Sequence, residues 1–208
     1  MLTNIIFLTL VGLTYIFNLI YFGSELSFGY ITMAMICSVV VEIANSGLWA
    51  ILICKILPDK LFLKNFKIFN VSKKEYNFYI NKCKIKSWKD KILDLGHLNG
   101  FQKKNVENTN SPEYLRRFII ECNSGFLEHL LSVITGTLII YLFPAKLRLT
   151  MGVPTLIINF IINGMSIMVL RFNIPRLHTA LKFAERSERK KELPSNEIEE
   201  NEEIKSTN

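Results

Sequence analysis

The sequence predicts an all-α integral membrane protein of four transmembrane helices, with a basic cytoplasmic segment carrying an interfacial helix between helices 2 and 3. Two observations carry that prediction. Half of the 208 residues are apolar, and the charges are segregated from them: residues 1–24 carry none, 27–54 carry only Glu42, and 130–143 and 149–170 carry none. Uncharged runs of about 20 residues are long enough to cross roughly 30 Å of hydrocarbon as helix. The second observation is where the positive charge collects. Residues 55–110 hold thirteen Lys against Asp59, Glu75, Asp90, Asp94 and Glu107, a balance of +8 that exceeds the +7 of the whole chain.

The first span is expected over residues 2–22. No Lys or Arg precedes it and no convincing A-x-A site follows it, so an anchor helix is expected and not a cleaved signal peptide. A turn containing Gly23, Ser24 and Glu25 leads to the second span, 28–54, and so short a link forces an antiparallel hairpin over residues 1–54. Tyr21 and Tyr30, at the outer ends, suit the aromatic belt of a membrane surface. Ser111-Pro112-Glu113 reads as the start of the third span, which ends before Pro144. The fourth runs over 149–170, with Pro154 in its first turns, where a missing N–H matters little. These two spans make up residues 112–171.

Under the positive-inside rule the segment 55–111 faces the cytoplasm, and four spans then place both termini on that side of the cell membrane. Arg171 and the basic juxtamembrane stretch 172–191, with Arg176, Lys182, Arg186, Arg189, Lys190 and Lys191, agree. Within 60–69, Phe62, Phe66 and Phe69 recur at helical spacing while Lys60, Lys64 and Lys67 mark another face. That pattern suits a helix lying on anionic lipid, and Tyr76, Tyr79, Ile80 and Cys83 continue it. The alternative is a solvated charged loop with some core aromatics. Nucleic acid is not expected as a partner, because Lys and aromatics beside a span already have a lipid explanation. Residues 192–208 are acidic and poor in apolar side chains, and disorder is expected there.

Inventory excludes several chemistries. Asp59, Asp90 and Asp94 are the only Asp, too few for paired Asp-rich magnesium motifs, and His97, His129 and His178 are too scattered for a His-rich iron site. No nucleotide, nicotinamide, nucleophile-elbow or zinc motif appears, so neither a metal nor a cofactor is expected. Cys37, Cys54, Cys83 and Cys122 form no C-x-x-C pair and read as small buried hydrophobes.

Polar groups inside the spans single out a site. The uncharged run 130–143 gives only about 21 Å of helix, so Glu128 and His129 fall inside the slab, with Glu121 near its cytoplasmic boundary. Glu42 and Asn45 on the second span, and Asn159 and Asn163 on the fourth, lie at overlapping depths. Ionisable side chains so placed usually face the bundle interior and mark a functional path. The asparagines also suit interhelical hydrogen bonding. Glu42 suits either a protonated hydrogen-bond donor or a catalytic carboxyl. His129 stands apart as the only intramembrane His, at a depth a headgroup or sugar can reach. His97 and His178 receive no role.

Three strings, read together, carry a resemblance. They are Ile85-Lys86-Ser87-Trp88-Lys89-Asp90, then Phe118-Ile119-Ile120-Glu121 followed at eight residues by His129, and Arg171-Phe172-Asn173-Ile174-Pro175-Arg176-Leu177. The chain resembles, over about Tyr76 to Leu181, the glycosyl-4,4'-diaponeurosporenoate acyltransferase family. These are small four-span bacterial membrane proteins whose type member acylates a glycosylated carotenoid in staphyloxanthin biosynthesis. The chain departs from that family's pattern in three places. Leu93 and Asp94 stand where a Pro is usual, Asn123 to Phe126 replace an Arg and a second acidic residue, and Phe172 and Ile174 are substitutions in the closing motif. The resemblance implies a fatty acyl donor and a lipid acceptor and carries over no catalytic residue.

Transfer of an acyl group to a sugar hydroxyl needs a base and donors for the oxyanion, and no metal. His129 is the candidate base, since a neutral imidazole survives desolvation and titrates near neutrality. Glu128 points about 100° away around the helix, so a carboxylate from another span, such as Glu42, is the expected orienting group; Glu121 completes the catalytic candidates. Trp88, Lys89 and Asp90 are expected at headgroup level to meet donor or sugar, with Asn163 and Asn173 on the substrate path. Arg171 and Arg176 are expected to bind donor phosphates, although Arg171 also suits simple positive-inside flanking. Acyl-CoA, an acyl-carrier protein and a phospholipid all remain as donors, and the oligomeric state stays open. The alternative is a non-enzymatic membrane protein, an assembly partner or lipid-binding subunit whose polar groups only hold the spans together.

Overall fold

A computed structural model of the chain describes residues 2–64, 66–92 and 108–192. His97 and the acidic tail beyond Glu192 lie outside the described residues. Among those described there are seven α-helices and no strand: α1 Leu2–Phe22, α2 Phe28–Ile56, α3 Asp59–Phe62, α4 Lys73–Asn81, α5 Pro112–Gly136, α6 Ala145–Leu147 and α7 Val153–Glu192. Four stretches are long and apolar enough to cross a membrane: α1, α2, α5 with the 3₁₀ turn that extends it to Leu142, and the run from Ala145 into α7.

Local chemistry sets the boundaries. The Ser27 hydroxyl caps α2 by accepting from the Tyr30 N–H at 3.3 Å, and Leu57 is extended because Pro58 follows it. Ser111 caps α5 by accepting from Tyr114 N–H, and Pro112 occupies its first position. Gly23 closes the turn after α1, since a Cβ there would stand 2.4 Å from the Leu19 carbonyl oxygen.

The fourth span differs from expectation at both ends. It begins earlier, through α6 and a π-helical turn at Arg148–Gly152. It also does not stop near Leu170. The basic stretch 172–191 belongs to the same 40-residue helix, which continues through Pro175. At about 60 Å, α7 is twice as long as the hydrocarbon is thick. Pro154 has no N–H to offer the Thr150 carbonyl four residues back. Asn18 donates to that carbonyl at 2.9 Å and accepts from the Thr150 hydroxyl at 2.6 Å, which docks α1 onto this turn.

α5 and α7 form the centre, with α2 against α5, and α1 against α2 and α7. One apolar cluster fills the basic end, where Phe62, Phe69, Phe118, Ile119, Phe126, Leu170 and Ile174 meet. A second fills the opposite end around Phe22, Ile31, Met35, Ile139, Phe143 and Met151. Leu8, Ile20, Val40, Ile43, Leu138 and Phe160 are instead exposed around the bundle, the surface a hydrocarbon solvent accepts.

The Phe stripe of the basic segment is not one helix. α3 ends at Phe62, and residues 66–72 are not helical. Phe62 and Phe69 point inward against Phe126 and Ile119, and only Phe66 is exposed. The hydrophobic signal was real, but its partner is the core of the bundle. Cys37 and Cys54 likewise depart from the buried role expected of them: both are exposed, and Cys122 is buried.

Candidate active site

A band of polar side chains crosses the interior between the two apolar clusters. On α2, Glu42, Asn45 and Trp49 follow one another at three and four residues, one face of a helix. On α5, His129, Ser132, Thr135 and Gly136 share a face in the same way, and α7 contributes Asn159 and Asn163. Asn45 Nδ2 donates to the Ser132 carbonyl at 3.1 Å, and its Oδ1 accepts from the Thr135 hydroxyl at 2.7 Å. Trp49 Nε1 donates to Thr135 Oγ1 at 2.9 Å. Asn159 Nδ2 reaches the Ser132 carbonyl from the other side at 3.4 Å. The space for Asn159 exists because residue 136 is Gly: a Cβ there would lie 1.8 Å from Asn159 Nδ2 and 3.4 Å from Glu42 Oε2.

This network fixes the state of the imidazole. Asn163 Nδ2 donates to the Asn159 backbone carbonyl at 3.1 Å and to Asn159 Oδ1. Both partners are oxygens that only accept, so the amide cannot be flipped without setting oxygen against oxygen. Asn163 Oδ1 therefore faces His129, 2.8 Å from Nδ1. An oxygen there requires Nδ1 to carry the proton. In the neutral ring the lone pair is then left on Nε2.

The side chain that meets His129 Nδ1 is Asn163, and not the carboxylate from another span that was expected. Glu42 sits beside Gly136, about 10 Å of helix rise from His129. Two atoms of the band lack partners among the described residues: Glu42 Oε1 and the hydroxyl of Ser132, a residue that is 0 % exposed. Glu128 is half-buried on a neighbouring face of α5. Glu121 is buried about 12 Å of helix rise away, and Arg117 bonds its carboxylate at 2.7 Å.

The basic end holds a separate assembly. Arg171 donates from Nε and Nη2 to the two Glu75 oxygens at 2.5 and 2.9 Å, and to the carbonyls of Ile68 and Asn70 at 2.7 and 3.0 Å. Its guanidinium also lies 4.7 Å from the centre of the Phe126 ring. Tyr79 donates to Glu75 at 2.6 Å. Burial pushes the Glu75 carboxyl up, but the hydrogen bonds from Arg171 and Tyr79 and the Arg171 charge outweigh it, and the carboxyl sits below its ordinary range. With its fork engaged in this way, Arg171 fastens the basic segment to α7.

Trp88 packs in the cluster built on Tyr79, Ile85 and Phe172 and donates from Nε1 to the Cys83 carbonyl at 2.8 Å. The first and third of the strings quoted above are therefore in contact. Lys89 pairs with its neighbour Asp90 at 2.5 Å. Arg176 is exposed and lies 5.5 Å from the centre of the Phe172 ring, while Asn173 is half-buried between them on α7. The structure thus joins His129, Asn163 and Glu42 in one band and gathers Trp88, Arg171 and Arg176 at the basic end. Ser132, Thr135, Trp49 and Gly136 were missed in the sequence, although their spacing from His129 and Glu42 marks them.

Fold and site define a multi-pass helical membrane protein whose half-buried histidine is held in one tautomer by an amide from a neighbouring helix. Its family is shown by comparison. A profile described as glycosyl-4,4'-diaponeurosporenoate acyltransferase matches residues 58–183, more than half of the chain, and the chain belongs to that family. Membership supports an acyltransferase role in carotenoid glycoside modification. No curated protein and no solved structure matches the chain. The matched region contains His129, Ser132, Asn163 and the Arg171–Glu75 assembly, whereas Glu42, Asn45 and Trp49 fall before it.

Proposed function

We propose that the protein moves a fatty acyl group onto a sugar hydroxyl of a glycosylated, carotenoid-like lipid at the cytoplasmic leaflet, with His129 as general base. The observation that carries this reading is the Asn163 contact, which engages Nδ1 and leaves Nε2 of a half-buried imidazole as the atom able to accept a proton. The acceptor hydroxyl gives its proton to Nε2 as its oxygen attacks the acyl carbonyl carbon. The tetrahedral oxyanion collapses and expels the donor's sulfur or oxygen, which takes the proton back from Nε2. Ser132, a hydroxyl without an acceptor one turn along the same face, serves as hydrogen-bond donor to the oxyanion. Glu42 closes the far side of the band.

The basic segment and the basic half of α7 support a cytoplasmic position for this end and for both termini. Replacing His129 with Ala removes the base and lowers acyl transfer in membranes by about 10²- to 10⁴-fold, with folded yield retained. Asn163→Leu frees the tautomer and costs about 10- to 100-fold, in line with other groups that orient a reacting side chain. Lipid extracts from cells with and without the protein, compared by mass spectrometry, should differ by an acylated product. If no such product forms and the two variants lose only folded yield, the band is interhelical hydrogen bonding and the protein is not an enzyme.

A further inference from the structure

A second site lies at the basic end, about 9 Å of helix rise from His129 on the α5 side and about 22 Å from Asn163 on the α7 side. It is a cavity of about 300 Å³ whose floor includes Phe62, Leu63 and Phe69 and whose rim includes Lys64, His178 and Lys182. Asn123, buried in its wall, is held by donating to the Phe62 carbonyl at 2.7 Å. No carboxylate lines it.

The cations around the cavity divide into two kinds. Arg116 pairs with Glu185, Arg117 with Asp59 and Glu121, and Arg171 with Glu75. Lys64 and Lys182 pair with no carboxylate among the described residues, and they converge on one opening from two different elements. Two unpaired ammonium groups and an imidazole above an aromatic floor match a ligand with phosphate at one end and an apolar chain at the other.

We infer that this cavity binds the phosphate of the acyl donor, with Lys64, His178 and Lys182 as its ligands and the Phe62 and Phe69 rings against the first part of the acyl arm. The assignment rests on the acyl-transfer reading for the word donor, but not for the binding itself. Phosphate recognition accordingly moves from Arg171, whose fork is engaged by Glu75, to Lys64 and Lys182, basic positions of the loop and of α7. The Phe69 ring meets Phe126 edge-on at 6.4 Å, one turn before His129, so the floor leads toward the polar band. The phosphate belongs either to a coenzyme A thioester or to a phospholipid headgroup.

Equilibrium binding to the full-length protein in neutral detergent tests this with three probes: palmitoyl-CoA, S-palmitoyl-pantetheine, which lacks the phosphates, and phosphatidylglycerol. The Lys64→Gln/Lys182→Gln variant should weaken palmitoyl-CoA binding about 10- to 30-fold, a factor of about five for each lysine at a membrane surface. Binding of S-palmitoyl-pantetheine should not change, and Lys64→Arg/Lys182→Arg should retain palmitoyl-CoA. A loss confined to phosphatidylglycerol supports the site with a headgroup as its ligand. Unchanged binding of both phosphate probes overturns the inference, and so does an equal loss in Lys73→Gln/Lys74→Gln, which removes the same charge elsewhere. His129→Ala should bind palmitoyl-CoA normally. If it does, and no acceptor is ever acylated, the acyl-transfer reading fails while the phosphate site stands.

Discussion

Gly136→Ala separates an account based on packing from one based on helix propensity, because the two predict opposite signs. In a helix interior Ala is more favourable than Gly by about 1 kcal/mol, so on propensity alone the substitution stabilises α5. The structure predicts the reverse. The added Cβ would fall 1.8 Å from Asn159 Nδ2, and the Asn159 side chain must leave its place. Its interhelical hydrogen bond to the Ser132 carbonyl is then lost, at about 0.6 kcal/mol in a membrane, together with the bond it accepts from Asn163 within α7. Accommodating the extra methyl in a packed interior adds about 1–3 kcal/mol. Net destabilisation of about 1–3 kcal/mol should therefore appear as a lower Tm in detergent. Once Asn159 moves, Asn163 loses one of the contacts that orient its amide, and acyl transfer should drop about 10- to 100-fold although residue 136 lies two turns from His129. Asn159→Ala in the same chain removes the clash, so the double variant should melt above Gly136→Ala alone, a coupling expected of residues in contact. A Gly136→Ala protein that melts at or above the wild type, or costs that simply add, would refute this packing of the band.

Two further outcomes follow from the ends of the bundle. Glu75 is held below its ordinary carboxyl pKa of 4.5, so its pairing with Arg171 stabilises the fold fully above that pH and is lost as pH falls through the lower folded value. The Tm difference between wild type and Glu75→Gln, worth about 1–3 kcal/mol for this partly buried pair, should be constant near neutrality and shrink only as the solution is acidified below 4.5. Asn18→Leu removes both hydrogen bonds that tie α1 to Thr150, the one donated to its carbonyl and the one accepted from its hydroxyl. That should cost about 1–3 kcal/mol, read as a lower Tm in a thermal melt.

Much of the frame was legible from where charge is absent. Three uncharged runs and one with only Glu42 located the four spans, and Ser111-Pro112 located the start of α5, because in hydrocarbon only a helix satisfies its own backbone. The length of α7 was not legible by the same rule. The charges beginning at Arg171 mark where the membrane ends, which is not where a helix must end, and Pro175 was tolerated within it. The Phe62, Phe66 and Phe69 spacing gave the right property and the wrong partner, since periodicity records that a face is apolar without saying whether lipid or protein covers it. The start of α4 was not read, although Ser72-x-x-Glu75 is a capping pattern and the Ser72 hydroxyl accepts from the Glu75 N–H at 3.1 Å.

The site was legible one helix at a time. Glu42, Asn45 and Trp49 stand at i, i+3 and i+7, as do His129, Ser132 and Gly136, and Asn159 and Asn163 stand at i and i+4, so each helix announces a polar face inside an apolar span. What one-dimensional spacing cannot state is the order in which those faces bond. The expected partner for His129 was a carboxylate, the usual orienting group for a catalytic imidazole, and the structure supplies an amide. The difference has a chemical consequence. A carboxylate would stabilise the imidazolium and raise the basicity of the ring, whereas an amide oxygen fixes the tautomer while adding no charge to the membrane interior. Introducing that charge by Asn163→Asp should therefore shift the acidic limb of the rate profile, where protonation silences a general base, to higher pH, as the imidazolium gains a partner. A profile that does not move would show that His129 takes no proton in the reaction.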